Sequence, residues 1–162
     1  RPGWITQKLI AALDHGFKNF MDTMGQLTEE ELTSRPVVGQ WSVKDVIAHV
    51  WSLVDEAART AKAWDSRRPW QEGVAFDDEW NERHVRDKEA LALIAVVDGL
   101  TGAHRRLMHL LDVAEDEELA VVAKDPKGQE MTLADFFYAA AQYYNDHVND
   151  LKAYQDHCLE CD

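Results

Sequence analysis

The sequence predicts an all-α fold, and within that class a four-helix bundle, on three observations. Four long segments carry apolar residues at helical spacing, and none alternates with period two. The second and fourth segments open on the same start signature. A chain of 162 residues with 46% hydrophobic residues, 8 Gly and 4 Pro can bury one sizeable core. It is read as a single domain over 1–162.

The first helix is expected from about Trp4 to Met24, with Leu9, Ile10, Leu13, Phe17, Phe20, Met21 and Met24 as its stripe. Gly16 is its weak point, since glycine costs a helix roughly 1 kcal/mol against alanine. The second starts at Ser42, an N-cap with Asp45 at the capping-box position and Trp41 placed to staple onto Val46. Its stripe runs through Val43, Val46, Ile47, Val50, Val54, Ala57, Ala58, Ala61 and Trp64, ending near Arg67-Arg68-Pro69. The third is expected from about Lys88 to Asp112, with Leu93, Val97, Leu100, Leu107 and Leu111 on one face. The fourth repeats the signature: Thr132 as N-cap, Asp135 three residues on, and Met131 placed to staple onto Phe136. Its stripe reads Leu133, Phe136, Phe137, Ala140, Tyr144, His147, Val148 and Leu151.

The connections set the topology. A polar stretch ending at Gln40 joins helices one and two, and an acidic loop with a turn at Asp125-Pro126-Lys127-Gly128 joins three and four. The crossover from about 66 to 87 is long enough to travel the length of a bundle, so helices two and three run parallel in an up-down-down-up order. A short helix is expected within it, around Asp77–Glu82. The last residues, 158–162, are read as a frayed tail with free thiols at Cys158 and Cys161.

Seventeen Lys and Arg against 30 Asp and Glu give a formal net charge of −13. Nucleic-acid binding depends on basic side chains that neutralise phosphates, so this balance argues against such a partner and against anionic lipid. No stretch approaches the roughly 20 apolar residues of a membrane span, and no signal-peptide pattern is seen. With two cysteines near the end and no disulfide framework, the expectation is a cytoplasmic protein.

Among seven histidines, His15, His84 and His109 fall on surface positions, while His49, His104 and His147 fall on or beside apolar stripes. In the up-down-down-up arrangement His49 lies roughly 10 Å and His147 roughly 16 Å from the same end of the bundle, at 1.5 Å per residue. His104 falls roughly 24 Å down and is read as a core histidine. The pair His49 and His147 is therefore the candidate centre. Tyr143, one turn before His147, stands where a second histidine would complete H-x-x-x-H. Asp45 and Glu56 flank His49 and are placed to orient its imidazole or to offer a carboxylate. Trp41, Trp51, Trp64, Trp70 and Trp80 all fall between the start of helix two and the end of the crossover. Aromatic walls around a few polar groups suit a small-molecule cleft, with Trp41, Trp51, Glu56 and Trp80 as candidate lining.

The run Gly39-Gln40-Trp41-Ser42-Val43-Lys44-Asp45-Val46-Ile47-Ala48-His49-Val50 resembles the helix-two opening of the DinB-like four-helix bundle superfamily. Tyr143-Tyr144-Asn145-Asp146-His147 resembles its helix-four motif. Ala63-Trp64-Asp65, Pro69-Trp70 and Phe76–Glu82 are similar to the ClbS/DfsB branch. The resemblance implies an up-down-down-up bundle and, in many members, a divalent metal held by one helix-two and two helix-four histidines. His49 and His147 occupy two of those positions and Tyr143 replaces the third, so a Zn or Ni site would be incomplete. It further implies functions such as metal-dependent thiol transfer and hydrolysis, and small-molecule hydrolysis against a toxic metabolite in the ClbS/DfsB branch.

Three readings stay open from the sequence. The first is a protein acting on or binding a small molecule near His49, His147 and Tyr143, as a hydrolase or in detoxification. The second is a non-catalytic interaction protein, with a homodimer as its default assembly. The third is a divalent-metal-dependent hydrolase or thiol transferase.

Overall fold

The computed structural model describes residues 3–34, 36–66, 69–70 and 77–161. Four long helices dominate: α1 (Trp4–Met24), α3 (Val43–Lys62), α5 (Leu93–Val113) and α7 (Leu133–Cys161). Short helices α2 (Glu29–Ser34), α4 (Asp78–Asp87) and α6 (Asp116–Leu119) lie in the connections. A single 3-10 turn, Trp64–Ser66, follows α3.

Side-chain neighbours fix the direction of each helix. Trp51 packs against Gly99 and Asp55 binds Arg106, so α3 and α5 run parallel. His49 faces His147 while Trp64 meets Phe136, so α3 and α7 are antiparallel. Gly3 lies beside Asp116 and Asp14 beside His104, which makes α1 and α5 antiparallel. The up-down-down-up order expected from the long crossover is what the chain adopts.

The two well-formed starts are present. Ser42 Oγ accepts from Asp45 N–H and Asp45 Oδ2 accepts from Ser42 N–H, closing a capping box. Thr132 and Asp135 exchange the same pair of bonds ahead of α7. Each box is preceded by a two-stranded hairpin that the sequence reading did not foresee. Strand β1 (Pro36–Val38) pairs with β2 (Trp41–Ser42) around Gly39, whose φ of 56° calls for glycine. Strand β3 (Val122–Lys124) pairs with β4 (Glu130–Thr132) around Gly128 at φ 85°. Strands of two or three residues are too short for period-two alternation to register. What they do is deliver the chain to each N-cap already extended.

Other boundaries differ from expectation. The second long helix stops at Lys62 rather than near 67–69. The third starts at Leu93 rather than Lys88, because Lys88 N–H closes on Val85 and Ala92 turns extended at ψ 154°. Good helix formers at 88–92 thus yield to a break that lets α4 and α5 point separately. Helix α4 is the crossover helix expected near 77–82, capped by Asp77, whose Oδ1 accepts from Trp80 N–H. Thr28 and Glu31 form a third capping box, opening α2 in what had read as a polar linker. Helix α7 continues to Cys161, so the expected frayed tail is helical backbone. The side chains of Cys158 and Cys161 lie outside the described residues.

The core gathers Leu13, Phe20, Ile47, Leu100, Leu107, Phe137 and Tyr144 from all four long helices. Gly16 is explained by close approach: a Cβ there would lie 3.2 Å from Tyr144 Cβ and from the Ala141 carbonyl. Trp64 is 2% exposed, meets Trp70 and Phe136 edge to face or tilted, and donates its Nε1–H to the Val121 carbonyl at 2.7 Å. Trp64→Ala should lower stability by about 3–5 kcal/mol, the cost of truncating a buried aromatic. The urea midpoint checks this, and a loss under about 1 kcal/mol would contradict the placement.

Candidate functional site

Helix α3 places His49 seven residues past its cap, and α7 brings His147 against it, with ring centroids 5.1 Å apart at 81°. Trp41, on the strand before α3, also tilts against His49, with ring centroids 5.0 Å apart. The Trp41 Nε1–H donates to Glu82 Oε2 at 2.8 Å, which ties α4 to this end of α3. His49 is 6% exposed and its Nδ1 is buried without a hydrogen-bond partner. An unpaired buried imidazole nitrogen costs about 1–3 kcal/mol, a state that Thr6 Oγ1, Trp51 Nε1 and His147 Nδ1 share among the described residues.

Beside His49 lies a cavity of about 310 Å³. Leu53, Ala57, Phe136 and Trp70 supply its apolar walls, and Glu56, Thr60, Asn81 and Tyr143 its polar groups. The expected residues divide. His49, Glu56 and Tyr143 stand on the wall. His147 does not line the cavity but backs His49, with its Nδ1 3.4 Å from Asp150 Oδ2, a charge contact without hydrogen-bond alignment. Trp41 likewise reaches the cavity through His49.

Two tryptophans are placed elsewhere. Trp51 turns toward α5, where a Cβ on Gly99 would collide with its ring at 2.5 Å, and Lys88 Nζ sits 4.9 Å over it. Trp80 is buried against His84, rings 4.0 Å apart, and it is Asn81 that reaches the cavity. That contact also makes His84 half-buried rather than a plain surface residue. Trp70, one of the five clustered tryptophans and part of the Pro69-Trp70 run, forms the wall although the sequence reading assigned it no place in the cleft. Its signal was there in its place just past α3, but a residue beyond a helix end has no periodicity to say where it points.

The two flanking carboxylates are engaged. Asp45 belongs to the capping box and lies 3.9 Å from Arg86. Glu56 forms an ion pair with Arg59, whose Nε–H donates to Glu56 Oε1 at 2.6 Å. His104 is the core histidine expected. It hydrogen-bonds Tyr144 Oη at 2.8 Å and Asp14 at 3.3 Å and stacks on Phe17 at 4.0 Å.

Burial pushes the His49 pKa down to about 4, and the nearby His147 adds to the shift. Burial also lowers His147, opposed by Asp150 and Asp146. Burial raises the Tyr143 phenol above its ordinary value. Near pH 7 the site therefore holds two neutral imidazoles and a protonated phenol. Because the folded pKa of His49 lies below its unfolded value near 6.5, the unfolded chain takes up protons first as the pH falls. Stability is full above about 6.5 and is lost progressively toward about 4. A urea midpoint that drops over this window, and drops less in His49→Gln, is the expected result.

The donor set does not fit the divalent metal that the family resemblance implies. Zinc sites take three protein ligands from thiolate, imidazole or carboxylate. Here the third position is a phenol held protonated by burial. Among the described residues, no three His, Cys, Asp or Glu side chains converge. The nearest wall carboxylate is committed to Arg59.

Comparison with known proteins gives the fold a family. No curated protein matches the sequence. Among solved structures, the mycothiol-dependent maleylpyruvate isomerase superposes with a TM-score of 0.75 at 11% identity over 90% of this chain. This chain spans 60% of that protein's length. The colibactin self-resistance protein ClbS, solved in complex with a dsDNA, gives 0.74 at 15% identity, covering 93% of this chain and 95% of ClbS. YfiT from Bacillus subtilis, described as a probable metal-dependent hydrolase with an unusual four-helix bundle topology, gives 0.74 at 17%, covering 94% and 87%. Likeness at these identities is likeness of fold. The profile of the DinB superfamily matches residues 12–151, and the chain belongs to that superfamily.

Proposed function

We propose that this chain transforms a small, neutral electrophile, an ester or a similarly activated carbonyl, in the cavity beside His49, and does so without a metal. The observation that carries the reading is His49, buried with its Nδ1 unpartnered, lining one cavity with Tyr143 and the aromatic rings of Trp70 and Phe136. Neutral His49 accepts a proton from water as the water oxygen bonds to the carbonyl carbon. The Tyr143 hydroxyl donates a hydrogen bond to the oxygen on which negative charge develops, and burial keeps that donor protonated. Collapse expels the leaving group, which takes the proton back from His49. His147, held toward Asp150, positions the His49 ring, while burial keeps that ring neutral in the resting state. Two structural neighbours, described as a mycothiol-dependent maleylpyruvate isomerase and a probable metal-dependent hydrolase, support an enzymatic reading of the cleft, though not its independence of metal.

The test is hydrolysis of a panel of short 4-nitrophenyl esters. Turnover is expected to survive EDTA, and kcat/KM to stay flat from about pH 8 down to about pH 5. A limb near the ordinary histidine value of about 6.5 would contradict His49 as the base. Activity that EDTA abolishes and Zn²⁺ restores would contradict the metal-independent reading.

A further inference from the structure

On the outer face of the bundle, away from His49, the parallel pair α3 and α5 encloses a groove of about 640 Å³. In a chain with 17 Lys and Arg and a net charge of −13, four basic residues meet there: Arg59, Lys62, Arg105 and Arg106. Asp55 is the only acidic residue on the groove wall among the described residues, and it is bound to Arg106 at 2.7 Å. Arg59 is taken by Glu56. Lys62 and Arg105 have no ion-pair partner among the described residues, and both are exposed. Lys62 ends α3 and answers the partial negative charge of that helix end, but Arg105 sits about two turns inside α5, beyond the reach of such an effect. Between the charges the floor is apolar, formed by Ala58 and Leu110 and by the methylene stems of the long side chains.

From the charge of this groove and its apolar floor, we infer that it binds a free organic anion with an apolar body, such as a medium-chain carboxylate. The carboxylate sits between Lys62 and Arg105 and the hydrocarbon lies along Ala58 and Leu110. The volume is within the range of small-ligand sites, roughly 300–1,000 Å³. The site is separate from the catalytic cavity and does not depend on the reading given to it.

The probe is dodecanoate below its micelle concentration, followed by calorimetry on the intact chain. Dodecanoate should bind, weaken with added NaCl, and outcompete both dodecanol and dodecylammonium by about tenfold or more. The double charge reversal Lys62→Glu/Arg105→Glu should weaken it by about tenfold or more with the helical circular dichroism unchanged. His49→Ala should leave it as it was. The milder Lys62→Gln/Arg105→Gln pair serves if the reversal fails to fold. Equal binding of the neutral or cationic probes, or no effect of the substitutions, overturns the inference. So does binding confined to anionic vesicles or to an oligonucleotide.

Discussion

His49→Ala is expected to remove at least about a hundredfold of kcat/KM toward nitrophenyl esters, the lower bound for loss of a positioned general base. The fold should tolerate the change. His49 Nδ1 has no hydrogen-bond partner among the described residues, and truncation relieves that buried unpaired nitrogen while leaving a small void. The two costs oppose each other, so circular dichroism and the urea midpoint should move little. That separation between activity and stability is what distinguishes a working imidazole from a packing one.

The neighbouring variants grade the roles. Tyr143→Phe keeps the ring on the wall but removes the donor, and should cost about 10–100-fold in kcat, less than a strong backbone oxyanion contact. His147→Ala should cost less than His49→Ala, and it should shift the pH limb upward, because the charge of His147 is part of what holds His49 low. If His147→Ala lost as much as His49→Ala with no shift of the limb, His147 would be the base and the assignment would have to be exchanged.

Much of this site was legible before any coordinates. Ser42 and Thr132, each with an aspartate three residues on, set the start of α3 and of α7. Counting 1.5 Å per residue from the shared end of the bundle put His49 roughly 10 Å and His147 roughly 16 Å down, close enough to face each other. The count worked because the long crossover implied two parallel helices, and that holds. What did not come through were orientations that depend on partners. Trp51 looks free on a helical wheel, but Gly99 on α5 opens a slot for its ring. Nothing in the spacing of either helix announces that pairing. Glu56 reads as an available carboxylate until Arg59, one turn on, takes it. Trp70 lies beyond the end of α3, where no period applies, and yet it forms the cavity wall.

Tyr143→His should give the chain a stoichiometric metal that the native chain is expected not to hold. Tyr143 and His147 are four residues apart on α7, so a histidine at 143 would share a face with His147, while His49 already faces His147 from α3 at 5.1 Å between rings. The substitution replaces a phenol that burial keeps protonated with an imidazole that burial keeps neutral, the form a metal requires. Elemental analysis after dialysis against Zn²⁺ or Ni²⁺, on protein purified without an affinity tag, should give about one equivalent for the variant and far less for the native chain. The urea midpoint of the variant should also rise with metal, by up to about 4 kcal/mol at a free concentration a thousandfold above Kd, because only the folded chain brings the three rings together. Tight stoichiometric binding by the native chain would mean that the phenol is no obstacle, and the metal-independent proposal would fall with it. Failure of the variant to bind would mean instead that position 143 is directed into the cavity and away from the two imidazoles. Either result would be visible without any knowledge of the natural substrate.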